Sequence, residues 1–482
     1  MCYIICRVIY RKRNCSVGVF LFMIGEKIKD RITAAFLWCL VCCVTVIFFR
    51  SWDPGMGTEI MPWQGYFFTA VSAFMLLYIL FGAVCAVFYH PAKALGDKEL
   101  PGCTVIVPAY NEGKHVAETL FSLLESDFPA GKLQIIAIND GSKDDTMEWI
   151  RYAESRSAGR IISLDLMKNG GKKHALYQGF QMARYDIVVT VDSDSVVTKD
   201  SLRNIVSAFN KSDIGGVAGN IRIKNLSDGM IPKMMDVGFM FGFEIIRSAQ
   251  SLLGCVMCTP GALSAYRKSI VMPFLDEWLH QKFLGAPANI GEDRAIATMI
   301  LQHGAKVTFQ SNAVAATCIP YTYGRFCKML LRWLRSDVRE NLLIGIYYFK
   351  NLRFSFACAG FGFHLIALAL GTAVPVISFP ILADMVCRLT PEGMVHAVYY
   401  GAALGIIGAL IPAMIYAKRV SLLNAVWAPV YSFYNMLLLW WIPVYAFFTA
   451  RNSNWLTREL PPAAAEKKEL SGMSGNSERL NN

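Results

Sequence analysis

An α/β domain with a mostly parallel sheet, inserted between N- and C-terminal transmembrane helices, is the architecture this sequence predicts, on three observations. The 482 residues are 54% hydrophobic and only 17% charged, with a mean hydropathy of +0.38. A soluble chain of this length is more polar, so an integral membrane protein is expected. The apolar excess sits in uncharged runs at 33–49 and 66–89 and, after a polar middle, at 354–382, 394–416 and 422–448. Within that middle, strand-like stretches alternate with helix-like ones, the pattern of a parallel sheet wound in right-handed crossovers.

In chain order, 1–32 reads as a basic cytoplasmic N-terminus. It carries Arg7, Arg11, Lys12, Arg13, Lys27, Lys29 and Arg31, whereas 51–64 has Asp53 and Glu59 and no Lys or Arg. By the positive-inside rule, two transmembrane helices within 33–90 return the chain to the cytoplasm. The domain at 95–320 then meets a reducing compartment, where the fourteen cysteines are expected to be free core residues. Residues 1–22 lack a convincing cleavage site, so no removed signal peptide is expected. The middle should run strand 104–107, helix 114–126, strand 134–138, helix 145–154, strand 161–164, helix 174–183 and strand 186–191. Residues 325–347 read as an amphipathic helix on the membrane surface, within an interfacial segment 321–350, its arginines snorkelling to headgroups. Three or four transmembrane segments follow in 354–449; four require a break near Pro375 or Pro380 and leave the polar tail 450–482 cytoplasmic, disordered from 461. The net charge of +11 is dispersed or flanks apolar runs, so it marks topology, and no nucleic-acid partner is expected.

Three strand ends are polar: Pro108-Ala109-Tyr110-Asn111-Glu112, Asn139-Asp140-Gly141-Ser142 and Asp192-Ser193-Asp194. Ligands bind outside the carboxyl ends of such strands, so acids at successive ends mean more together than singly. Each alone has an ordinary alternative, a turn and N-cap for Asn139 to Ser142, a helix start for Glu112, turn chemistry for the Asp-x-Asp. Asp192 and Asp194 are nonetheless the pair that could hold Mg2+ or Mn2+ against a nucleotide diphosphate. Lys172 and Lys173, after Gly170-Gly171, suit a solvated loop or a phosphate contact. Asp293 begins a helix, 295–302, that stops at Gly304; it could be a cap and dipole partner or a general base, and residue physics leaves both open.

Taken together, Val107-Pro108-Ala109-Tyr110-Asn111-Glu112, Asn139-Asp140-Gly141-Ser142, Gly170-Gly171-Lys172-Lys173, Asp192-Ser193-Asp194, Gly291-Glu292-Asp293-Arg294 and Arg332-Trp333 resemble the motif series of membrane-embedded processive family 2 glycosyltransferases. Hyaluronan, chitin-oligosaccharide and poly-N-acetylglucosamine synthases are the nearest branches, over roughly 66–458. The resemblance implies a GT-A-type nucleotide-sugar-binding domain and an inverting, processive β-glycosyltransferase in the plasma (inner) membrane. Its donor would be a UDP-sugar, UDP-GlcNAc first and UDP-GlcA as a second sugar. Its other partners would be the growing polysaccharide and the lipid bilayer, with any accessory subunit unknown. The resemblance further implies that Ala109, Tyr110, Glu112 and Asp140 line the uridine site, that Lys172, Asp192 and Arg332 approach nucleotide and diphosphate, and that Asp194 with Asp192 holds Mg2+ or Mn2+. Asp293 would be the base with Arg294 orienting it, while Gly261, Glu292 and Trp333 would face the acceptor. Two departures are plain: Met329 and Leu330 stand where the branch has two glutamines, and in Asn454-Trp455-Leu456-Thr457-Arg458 a leucine replaces the glycine of a gating Trp-Gly-Thr. A non-processive enzyme adding one sugar to a lipid is the alternative that the first departure leaves open.

Overall fold

The computed structural model describes residues 62–351, 356–388, 405–406 and 408–452. The expected first apolar helix, the basic N-terminus, most of the 394–416 run and the Asn454 to Arg458 motif lie outside them. The chain divides into two compact units. The larger comprises the described parts of Met61–Pro232, Gly242–Leu382 and Trp440–Asn482; the smaller comprises Lys233–Phe241 with those of Ala383–Leu439.

The larger unit is organised on an eight-stranded sheet. Its strands are β1 (Cys103–Ala109), β2 (Leu133–Asn139), β3 (Ile161–Asp165), β4 (Ile187–Thr190), β5 (Ser195–Val197), β6 (Ile214–Ile223), β7 (Ser264–Arg267) and β10 (Lys306–Thr317). A two-residue hairpin, β8 (Lys282–Phe283) with β9 (Ala286–Pro287), stands apart. The order across the sheet is β3-β2-β1-β4-β7-β6-β10-β5. Every residue of β1 is buried, as a continuous Val-Ile-Val run flanked by strands on both sides requires. The pairs β1–β2, β1–β4, β2–β3 and β6–β10 are parallel, whereas β7 lies antiparallel between β4 and β6. The sheet is thus mostly but not uniformly parallel. The chain reaches β7 through the helical stretch Met230–Leu252 and a tight turn in which Leu263 N donates to Pro260 O.

The predicted helices fall where expected, as His115–Leu124, Thr146–Ser155, Lys172–Met182, Glu292–Gln302 and Tyr323–Lys350. The break that a fourth crossing would require is not seen. Phe356–Arg388 is a single helix of 33 residues with Pro375 and Pro380 inside it, not two segments broken at a proline. Proline removes one donor and crowds one carbonyl, and in a long apolar helix the bonds on either side hold the axis. Among the described residues, Cys358–Pro380 is long and apolar enough to cross a membrane, and a second such element exists if Asn424–Leu439 and Trp441–Phe448 count as one broken span. In the smaller unit Val237, Met240, Ala409, Tyr416, Ala425 and Ala428 form a buried cluster, and Tyr416 donates its hydroxyl to the buried Asp236 at 2.6 Å.

Candidate active site

The carboxyl ends of β1 and β2 are tied into one surface. Asn111 N donates to Ser142 Oγ (3.0 Å), Lys143 N to Asn111 Oδ1 (2.9 Å), and Glu112 N and Gly113 N to Thr146 Oγ1 (2.9 and 3.0 Å). Asn111 holds φ 53, a left-handed conformation that asparagine tolerates better than most residues. Ala109 is buried and its carbonyl accepts Asp140 N at 2.8 Å. The Asp140 carboxylate reaches the next motif: its two oxygens accept Gly170 N (2.8 Å) and Gly171 N (2.9 Å). Burial raises its pKa and these two bonds oppose the shift. Asp140 therefore fixes the loop that begins the Lys172 helix.

Lys172 is the centre of the arrangement. Its ammonium lies 2.5 Å from Asp192 Oδ1 and 2.7 Å from Glu292 Oε1. Burial pulls its pKa down, but Asp192, Glu292 and Asp293 together outweigh burial and raise it, so the lysine stays charged. Gly261 lies against this ion pair. A Cβ there would come within 2.6 Å of Lys172 Nζ and 2.9 Å of Asp192 Oδ2, so a larger residue would displace the pair. Lys172, Asp192, Gly261, Glu292 and Asp293 line one cavity with Pro108, Thr190, Tyr266 and Trp278.

At the start of the Glu292–Gln302 helix two adjacent carboxylates behave differently. Burial raises the Glu292 pKa, but Lys172 more than compensates and it lies below the ordinary glutamate value. Asp293 is pushed up to about 6, by burial first and by Glu292 second, against the pull of Lys172. Thr259 Oγ1 donates to Asp293 O at 2.7 Å and Tyr266 OH to Thr259 Oγ1 at 2.9 Å, which fixes the Asp293 backbone from β7. Arg294 does not orient the Asp293 side chain as expected. Only its backbone N–H reaches Asp293 Oδ1, at 2.8 Å, while its guanidinium turns to Asp337 Oδ1 at 3.2 Å and to Asn341 Oδ1. Cys258, on the neighbouring loop, has its thiol pushed up to about 12 by burial and remains a neutral packing residue.

Asp192 and Asp194 offer two carboxylates, and among the described residues no group of three His, Cys, Asp or Glu side chains gathers as a metal site. Two acids are enough for Mg2+ or Mn2+ when a substrate diphosphate supplies further oxygens. Burial raises the Asp192 pKa, with Lys172 opposing and Asp194 adding to the shift; crowded anionic oxygen of this kind is relieved by a cation. The pair fits such an ion.

The Tyr323–Lys350 helix carries Arg332 and Trp333, both half-buried, and Arg332 is among the charges that lower the Glu292 pKa. Snorkelling fails for two of its arginines. Arg335 is 6% exposed and donates from Nε to Thr449 Oγ1 at 3.0 Å; Arg339 is 1% exposed and donates to Glu340 and to the Ile290 carbonyl. Lys173 is buried too, its Nζ 3.1 Å from Ala288 O. Lys and Arg at helical spacing look alike in sequence whether they face water or a second element, so the burial of these residues is visible only in the fold.

The model for glycosyl transferase family 2 matches residues 104–273. An N-acetylglucosaminyltransferase of Azorhizobium caulinodans is 32% identical over 362 residues, which is 74% of this chain and 88% of that protein. A hyaluronan synthase of Streptococcus pyogenes serotype M3 is 28% identical over 274 residues, 56% of this chain and 64% of the other. Among solved structures, a mannosyltransferase from Pyrobaculum calidifontis in complex with GDP-Man and Mn2+ is similar with a TM-score of 0.50 at 20% identity, over 79% of this chain and 94% of its own. That likeness shows the fold, of GT-A type. With the acids of two segments around one lysine and a relative this similar over most of both chains, the protein belongs to the family 2 glycosyltransferases, in the branch of the rhizobial N-acetylglucosaminyltransferases and hyaluronan synthases.

Proposed function

We propose that this glycosyltransferase is a processive, inverting β-transferase that takes N-acetylglucosamine from UDP-GlcNAc and passes the polymer outward through its membrane region. The donor follows the name of the relative that matches over most of both chains; glucuronate from UDP-GlcA as a second sugar follows the more distant hyaluronan synthase. In this reading the catalytic domain is cytoplasmic and 354–449 forms three membrane crossings, the continuous Phe356–Arg388 helix being one of them.

The observation that carries the chemistry is Asp293, a half-buried carboxylate with its pKa pushed up to about 6, on the wall of the cavity that also holds Lys172 and Asp192. A base poised near neutrality is what proton abstraction from a sugar hydroxyl requires. The acceptor oxygen forms its bond to the anomeric carbon as the bond to the diphosphate oxygen breaks; the hydroxyl proton goes to Asp293 and UDP leaves. Ala109, Tyr110, Glu112 and Asp140 accommodate the uridine end, and Lys172 and Arg332 meet the negative charge of the diphosphate. Asp192 and Asp194 would hold Mg2+ or Mn2+, which when bound neutralises leaving-group charge. Gly261, Glu292 and Trp333 face the acceptor, Trp333 offering its ring to a sugar.

Purified protein in detergent, given labelled UDP-GlcNAc and Mn2+, is expected to form polymer and release UDP. Asp293→Asn should lower kcat by about 10²- to 10⁴-fold while UDP affinity persists. Wild-type turnover by that variant would overturn the base assignment. A second reading, transfer of one sugar to a lipid, is favoured by Met329 and Leu330 in place of two glutamines; product length on a gel separates the two.

A further inference from the structure

Behind the cavity wall lies a buried charged cluster that the reaction as described does not use. Lys173 is 5% exposed, Arg339 1% and Glu340 0%. The targets of the two cations form a pattern. Lys173 Nζ donates to Ala288 O at 3.1 Å, Arg339 Nη2 to Ile290 O at 2.7 Å, and the fully buried Trp278 donates from Nε1 to Glu292 O at 3.0 Å. Three alternate carbonyls of the segment that leads into Asp293 are thus each taken by a side-chain donor from a different helix. The donors are themselves tied together: Arg339 Nε bonds Glu340 Oε1 at 2.7 Å, Gln281 Nε2 bonds the same oxygen at 3.2 Å, and Gln281 Oε1 lies 3.4 Å from Lys173 Nζ. Gly291, with φ +70, sits so close to this helix that a Cβ would overlap Ser336.

Burying two cations and a carboxylate costs several kcal/mol per ion before pairing, and well-packed apolar residues often do as well for stability. Such a cluster is poor economy as mere filling. It gives geometric definition to a segment that has no strand or helix ladder until Glu292. Arg339 also follows Arg332 by seven residues on one helix, a spacing that keeps both on the same face. The Gly-Gly-Lys-Lys start grips the segment at two points, Lys172 at the Glu292 side chain and Lys173 at the Ala288 carbonyl.

We propose that Lys173 and Arg339 are positioning residues for the base: together they clamp the segment from Ala288 to Glu292 so that Asp293 is held in register with the donor-side Lys172 and with the helix that carries Arg332 and Trp333. This rests on the reading of Asp293 as the base. Misplacing a reacting group by about 1 Å costs on the order of 10²-fold in rate without touching ground-state binding.

The test uses the full-length enzyme in detergent with UDP-GlcNAc and Mn2+. Lys173→Met, which keeps the aliphatic stem, and Arg339→Lys, which keeps the charge but cannot make both bonds, are measured for kcat, donor KM, UDP affinity by calorimetry, and melting temperature. The expected result is a loss of about 10- to 100-fold in kcat with donor KM and UDP affinity within about twofold of wild type and melting unchanged. The clamp is overturned if kcat is unaffected in a folded variant, or if kcat and UDP affinity fall together. Should Lys173→Met fail to fold, Arg339→Lys decides alone by the same criteria. Asp293→Asn, run in parallel, keeps the two ideas apart: full activity there removes the base reading itself, whereas an inactive Asp293→Asn beside fully active clamp variants removes only the clamp.

Discussion

At the scale of single residues, the site works by setting neighbouring carboxylates apart. Glu292 and Asp293 are adjacent in sequence, yet Lys172 takes one and leaves the other. Lys172 holds Glu292 ionised at 2.7 Å, while burial and then the Glu292 charge push Asp293 up to about 6. A raised pKa means that the basic form exists only above that value, so kcat should fall about tenfold per pH unit as the pH drops below about 6. Two variants should move this limb in opposite directions. Glu292→Gln removes a charge that raises the Asp293 pKa, so its limb lies at lower pH; Lys172→Met removes a charge that lowers it, so its limb lies at higher pH. The kcat profile, read at saturating donor to discount weakened binding, checks both. Limbs that move together, or not at all, contradict the electrostatic assignment.

At the scale of elements, the site depends on loops knitted across strand ends, and Thr146 is the knot. Its Oγ1 accepts Glu112 N and Gly113 N and donates to Asp144 Oδ1 at 2.5 Å. Thr146→Val keeps the shape but removes the acceptor of Glu112 N, while Gly113 N retains Asp144 Oδ2 at 3.2 Å; a backbone donor left buried without a partner costs about 1–3 kcal/mol. A lowered melting temperature with several-fold weaker UDP binding is expected if these loops frame the nucleotide end as proposed; unchanged melting and affinity would mean that the loops do not rely on it. This element-level design was largely legible in the sequence. Periodicity located β1 to β4 and their helices to within a few residues, and of the acids at successive strand ends Asp192 lies on the cavity, beside Glu292 and Asp293 from a helix start. What was not legible depends on partners distant in sequence. The antiparallel β7 pairs with β4 and β6, strands distant from it in sequence. The continuity of Phe356–Arg388 contradicts a local rule about proline because the surrounding helix holds the axis. Lys173, Arg335 and Arg339 are buried only because other elements cover them, and nothing in their own neighbourhoods distinguishes them from the exposed Arg325 and Lys328.

At the scale of the whole molecule, the question is whether the product stays bound between additions. The catalytic domain, the Tyr323–Lys350 helix and the apolar Phe356–Arg388 helix follow one another without a long linker. Holding a sugar chain through a catalytic cycle needs only that its dissociation be slower than the next addition. A tryptophan face, at roughly 0.5–1.5 kcal/mol per stacking contact beyond buried area, slows dissociation appreciably when repeated over several rings. Met329 and Leu330, both half-buried, take away amide hydrogen bonds but leave apolar surface of the kind sugar faces pack on, so retention should survive the departure from the family pattern. The expectation is therefore that long products appear at low conversion, with few intermediates, and that their length does not depend on the ratio of enzyme to acceptor. Met329→Gln with Leu330→Gln should lengthen them further by adding polar contacts. A ladder that begins at one added sugar and grows evenly with time, in wild type and double variant alike, would mean that the chain is released after every transfer and that the enzyme acts once per encounter.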